Sequence, residues 1–154
     1  MIVKSILLWV MILLGGCAHA PASMVSAEGK PFALGQLAGK VVLLDFFATW
    51  CEPCKATLPS AQRLAERLGP RGLVVYAVNT EKKADGALFL KGLGVTLPLL
   101  RDDDGVQAEA LGGQNLPFAV LLDRHGTPRF RQEGVVDGGE ERIGREAEKL
   151  LAEP

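Results

Sequence analysis

Histidine is nearly absent, at 2 residues in 154, and cysteine is scarce, at 3. A structural zinc site takes about four nitrogen or sulfur ligands. Cys51, Cys54 and the two distant histidines, His19 and His125, are a poor match to that set, so no metal and no cofactor is expected. A charge excess is missing too: 17 basic side chains meet 18 acidic ones, and nothing in that balance points to nucleic acid as a partner. Glycine and proline are too few for a collagenous or disordered chain, and no internal repeat or low-complexity tract occurs. A chain of 154 residues suffices for one domain with a core. The acidic triplet Asp102-Asp103-Asp104 before Gly105 fails as an EF-hand calcium loop, because Leu100 stands where the first ligand would be.

Long apolar runs are lacking with one exception. Lys4 is followed by Ile6 to Leu14, then by Gly15, Gly16 and Cys17, which is the layout of a secretory signal. The run of 9 residues falls short of the roughly 20 that a spanning helix needs, so a permanent transmembrane anchor is the weaker reading. Leu14-Gly15-Gly16-Cys17 looks like a bacterial lipobox. Residues 1–16 would then be a signal peptide and Cys17 a lipid-modified N-terminus, with ordinary cleavage near Ala18-His19-Ala20 as the alternative. An odd thiol in an oxidising compartment needs explaining, and lipidation of Cys17 leaves only Cys51 and Cys54 to pair. Residues 17–29 are small and polar, as in a tether, and the folded domain is expected over 30–154.

Within that domain, Phe32, Leu34 and Leu37 suggest a short strand or hairpin. Val41 to Phe47 is almost continuously apolar and suits a strand covered on both faces, with Asp45 as the exception. From Glu52 to Leu68 the residues Leu58, Ala61, Leu64, Ala65 and Leu68 recur at helical spacing until Gly69-Pro70, with a kink expected at Pro59. A second buried strand is predicted over 73–78 and a weaker helix over 84–93. Asp104 with Gln107 fits the start of a short helix ending at Gly112-Gly113. Phe118 to Asp123 and Thr127 to Val136 read as a hairpin turning at His125, and Ile143, Ala147, Leu150 and Leu151 mark a C-terminal amphipathic helix. The order implies an α/β fold with a mixed central sheet and helices on both faces.

The chemistry concentrates at Trp50-Cys51-Glu52-Pro53-Cys54. Disulfide exchange needs a thiolate, and a cysteine between a buried strand and a helix start is placed where the helix dipole favours negative charge. Cys51 is the expected nucleophile; Cys54, one turn further on, the less exposed resolving thiol. A purely structural disulfide explains the motif poorly, because so small a loop constrains little of the unfolded chain.

Asp45-Phe46-Phe47-Ala48-Thr49-Trp50-Cys51-Glu52-Pro53-Cys54-Lys55 resembles the thioredoxin superfamily, and within it the membrane-anchored TlpA/ResA-like thiol–disulfide oxidoreductases. The resemblance covers roughly Lys30 to the C-terminus and implies the thioredoxin fold. It implies a cis-proline at Pro117, with the backbone of Leu116 facing the substrate chain. Asp45 matches the buried acid of thioredoxin, and burial would raise its pKa towards a range useful for proton exchange with Cys54. Trp50 is expected to cover one side of the pair or else to be a core aromatic, and Glu52 and Pro53 to tune its potential. Thr57 departs from the pattern: many TlpA/ResA-like proteins carry a glutamate three residues after the second cysteine, and Asp45 would replace it.

The resemblance further implies a lipid-anchored enzyme on the periplasmic side of a bacterial membrane, acting as a monomer. It would reduce disulfides of exported proteins such as apocytochrome c, in cytochrome c biogenesis, recharged by a membrane electron donor of the DsbD/CcdA type. A disulfide-forming oxidant, distinguished by its potential, and a copper-delivery module holding Cu(I) on paired thiolates remain alternatives.

Overall fold

The computed structural model describes residues 24–154; the predicted signal peptide, Cys17 and the first part of the tether lie outside the described residues. In chain order the strands are β1 (Met24–Ser26), β2 (Pro31–Phe32), β3 (Val41–Phe47), β4 (Leu73–Asn79), β5 (Leu99–Arg101), β6 (Phe118–Leu122) and β7 (Pro128–Glu133). The helices are α1 (Cys54–Leu68), α2 (Gly86–Gly92), α3 (Val106–Ala110) and α4 (Gly139–Ala152), with a 3-10 turn at Leu34–Leu37. One sheet holds all seven strands in the order β2-β1-β5-β4-β3-β6-β7. β3, β4 and β5 run parallel, whereas β6 and β7 on one flank and β1 and β2 on the other are antiparallel to their neighbours. The expected mixed sheet is present.

β3 is the spine. It is buried along its whole length and paired on both sides, by β4 and by β6, which is why its sequence is apolar without alternation. Its odd-numbered residues Val41, Leu43 and Phe47 pack with Leu58, Leu64 and Leu68 of α1 and Ile143, Ala147 and Leu150 of α4. Leu90 of α2 joins that layer. Its even-numbered residues Val42, Leu44 and Phe46 face the opposite layer, closed by Leu37, by Ala108 of α3 and by Leu111. Helices therefore cover both faces. α1 takes in Pro59 within one helix of 15 residues.

Ahead of Lys30 the sheet already holds β1, where Met24, 1% exposed, packs into the core and Val25 and Ser26 pair with β5. Three residues are too few to show a period in the sequence, and β1 is held by pairing with β2 on one side and β5 on the other. Asp102, not Asp104, caps α3: its two carboxylate oxygens accept the N–H groups of Gln107 and Ala108, each at 2.8 Å. Asp104 instead takes a left-handed conformation, φ 67°, in the turn before the helix.

Candidate active site

β3 delivers the chain to its carboxyl end, and Cys51 follows after Ala48-Thr49-Trp50. A turn carries it into α1, with the N–H of Cys51 on the carbonyl of Ala48 at 3.1 Å and that of Cys54 on the carbonyl of Cys51 at 3.2 Å. Cys51 and Cys54 are joined by a disulfide, their Cα atoms 5.4 Å apart. The helix proper starts at Cys54, one turn later than the sequence suggests, and the first N–H groups of 54–56 already bond to carbonyls three residues back. Those N–H groups are therefore already engaged, and Cys51 lies just before the positive end of the α1 dipole. Cys51 is 2% exposed and Cys54 fully buried, in the expected order.

Trp50 is 73% exposed, so it is no core residue. With Leu116, Phe118, Glu81 and Asn115 it lines an open groove of about 590 Å³. Glu52 is paired with Lys55 at 2.6 Å on the surface, which offsets part of the charge its carboxylate sets beside Cys51. The Leu116–Pro117 bond is cis, as the resemblance implied. Pro117 stands just before β6, at the end of the sheet that carries the cysteines, since Phe118 pairs with Phe46. Its carbonyl accepts the N–H of Gly134 at 2.8 Å, which ties the proline loop to the end of β7.

Asp45 lies on the central strand, 2% exposed, on the face that α1 covers. Neither of its oxygens has a hydrogen-bond partner within the protein, and burial pushes its pKa up to about 7. Ala77 stands opposite it on β4, so no cation compensates from that side. Asp45 opens into a cavity of about 110 Å³ that reaches Thr57 in the first turns of α1, Pro117, and Gln132 of β7. Thr57, the departure from the family pattern, thus shares a cavity with the acid expected to replace the missing glutamate.

Two residues escaped the sequence reading. Glu81 accepts the N–H of Thr49 and, at 3.3 Å, its hydroxyl, and is itself positioned by its own N–H on Asn79 Oδ1 at 3.0 Å. No local pattern announced it. Gln132 had a signal, because it breaks the alternation of β7 at an inward position. His125 sits in the turn after β6, at the opposite end of the sheet from Cys51.

A mixed sheet with a Cys-x-x-Cys pair at the carboxyl end of its central strand and a cis-proline opening the neighbouring strand defines the thioredoxin class of folds. A crystal structure of a thiol:disulfide interchange protein DsbE from Chlorobium tepidum superimposes with a TM-score of 0.76 at 26% identity, covering 84% of this chain and 92% of that one. The chain belongs to the AhpC/TSA family, whose model matches residues 17–132. It is 35% identical over 100 residues to the thiol-disulfide oxidoreductase ResA of Bacillus subtilis, covering 64% of this chain and 56% of that protein. It is also 34% identical over 127 residues to the thiol:disulfide interchange protein DsbE of Pseudomonas aeruginosa, covering 77% of this chain and 66% of the relative. The chain thus spans little more than half the length of ResA.

Proposed function

We propose that this chain is a thiol–disulfide oxidoreductase that reduces disulfides of exported proteins. The observation that carries the reading is the Cys51–Cys54 disulfide just past the carboxyl end of β3, the strand that also carries the buried, unpartnered carboxylate of Asp45. The names of the relatives, thiol-disulfide oxidoreductase and thiol:disulfide interchange protein, support the same reaction class.

In the reduced protein the Cys51 thiolate attacks a substrate disulfide, forming a mixed disulfide and expelling one substrate thiolate, which takes a proton from solvent. Cys54 then gives its proton to the Asp45 carboxylate. Its thiolate attacks Cys51 Sγ, the Cys51–Cys54 disulfide forms, and the second substrate thiolate leaves and takes a proton from solvent, while Asp45 releases the proton it accepted. Two electrons pass to the substrate and two protons end on its thiols. A base in the layer that buries Cys54 serves this direction, because Cys54 has to ionise while substrate is still held on Cys51.

Trp50 and the backbone of Leu116 beside Pro117 would hold the substrate segment in the groove, with Glu52 and Pro53 tuning the pair. Secretion and lipidation at Cys17 rest on the N-terminal sequence. On that reading the enzyme works at the periplasmic side of a membrane, takes substrates such as apocytochrome c, and is recharged by a membrane donor of the DsbD/CcdA type. Copper delivery is disfavoured by His125, which lies at the far end of the sheet. The reduction potential tests the direction. A value nearer about −270 mV than about −120 mV supports a reductase, and a value near the latter contradicts it.

A further inference from the structure

Along β7 the inward positions hold Pro128, Phe130 and Gln132, and Phe130 packs on the core as the period of two demands. Gln132 breaks the pattern. It is 9% exposed, and its Oε1 is buried with no hydrogen-bond partner. An amide placed there without a partner costs free energy that an apolar side chain of the same size would not. The same row of the sheet explains where it points: Asp45 pairs with Ala119, and Ala119 with Gln132, so both polar residues stand on one face with only a methyl group between.

Both open into the single cavity of about 110 Å³ beneath α1, room enough for a short chain of water molecules. The titratable groups facing it are Asp45 from β3 and Glu140 from α4, and the Glu140 carboxylate is held by Arg63 of α1 at 3.1 Å from Nε. α1 otherwise contributes Thr57 and Ser60, β6 contributes Ala119, and β4 sets Ala77 beside Asp45. Gly139, the first residue of α4, makes way for the amide: a Cβ there would lie 2.6 Å from Gln132 Nε2.

We propose that Gln132 is a positioning residue, orienting hydrogen-bonded water between Asp45 and the Glu140 end of the cavity. Resting on the oxidoreductase reading above, this gives the proton that Asp45 takes from Cys54 a way out of the core. A neutral amide donates and accepts hydrogen bonds but carries no proton itself, so its part is to order the water that does. Burial sets the Asp45 pKa at about 7, so near neutral pH the carboxyl can both take up a proton and release it along such a path.

The test follows Asp45 in the oxidised protein by the infrared carbonyl band of its protonated carboxyl, identified by its loss in Asp45→Asn. Gln132→Leu should raise the titration midpoint by about one pH unit or more, because the carboxylate loses ordered solvation. It should also slow insulin reduction near pH 7 several-fold with KM unchanged. Gly139→Ala, which displaces the amide without removing it, should shift the midpoint in the same direction by less, and it carries the test should Gln132→Leu not fold. A folded variant with the wild-type midpoint, or a shifted midpoint with an unchanged rate, overturns the inference and leaves the oxidoreductase reading standing. A wild-type protein unable to reduce insulin overturns that reading and the exit role with it.

Discussion

The carboxylate of Glu81 accepts both the N–H and the hydroxyl of Thr49, two residues before Cys51, and so fastens the loop after β4 to the loop that presents the cysteines. A second tie runs alongside, where the N–H of Thr80 bonds to the carbonyl of Phe47 at 3.0 Å. Glu81→Ala leaves the part-buried Thr49 N–H without its acceptor and should cost about 1–3 kcal/mol in urea denaturation. Glu81→Gln keeps an oxygen in place and should cost less. Equal stability of Glu81→Ala and wild type would show that the contact does not hold the loop.

Asp45 sets a pH dependence of stability with a definite sign. Its pKa is 3.8 ordinarily and about 7 in the fold, so between those values the folded protein keeps a proton that the unfolded chain releases. Stability falls as pH rises through that window and levels off above it. At roughly 1.4 kcal/mol per pH unit the loss is about 4 kcal/mol. Asp45→Asn, always neutral, should match wild type near pH 4, exceed it in urea denaturation at pH 8, and reduce insulin more slowly. Parallel stability profiles for the two proteins would contradict the burial of a titrating acid.

Asp102 holds the start of α3 through two N–H groups. Asp102→Ala should cost about 1–2 kcal/mol, as for a lost cap, while Asp102→Asn keeps one of the two acceptors and should cost less. Thermal unfolding of the two variants distinguishes them. An unaffected Asp102→Ala would show that these two contacts do not hold the start of α3.

Much of this molecule is legible in its sequence. β3 showed itself by an apolar run with one acid in it, α1 by helical spacing that stops at Gly69, and the cysteine pair by its place between them. Legibility fails where a feature depends on residues far apart in the chain. Glu81 reaches Thr49 across 32 residues, and Gln132 shares its cavity with Asp45 only once β6 lies between their strands. β1 is hidden for another reason: it has 3 residues, too few for a period, and its burial is decided by β5.

The proposed lipid anchor has its own test. Cys17→Ser should release the protein from the membrane fraction of a bacterial host without changing insulin reduction, since Cys17 is no part of the redox pair. Membrane retention equal to wild type would count against lipidation.

The central claim, nucleophilic Cys51 resolved by Cys54, is tested most directly by insulin reduction with single cysteine variants. Wild type should reduce insulin, Cys51→Ser should not, and Cys54→Ser should accumulate a mixed disulfide on Cys51. Full activity in Cys51→Ser, or wild type with no activity, would contradict it.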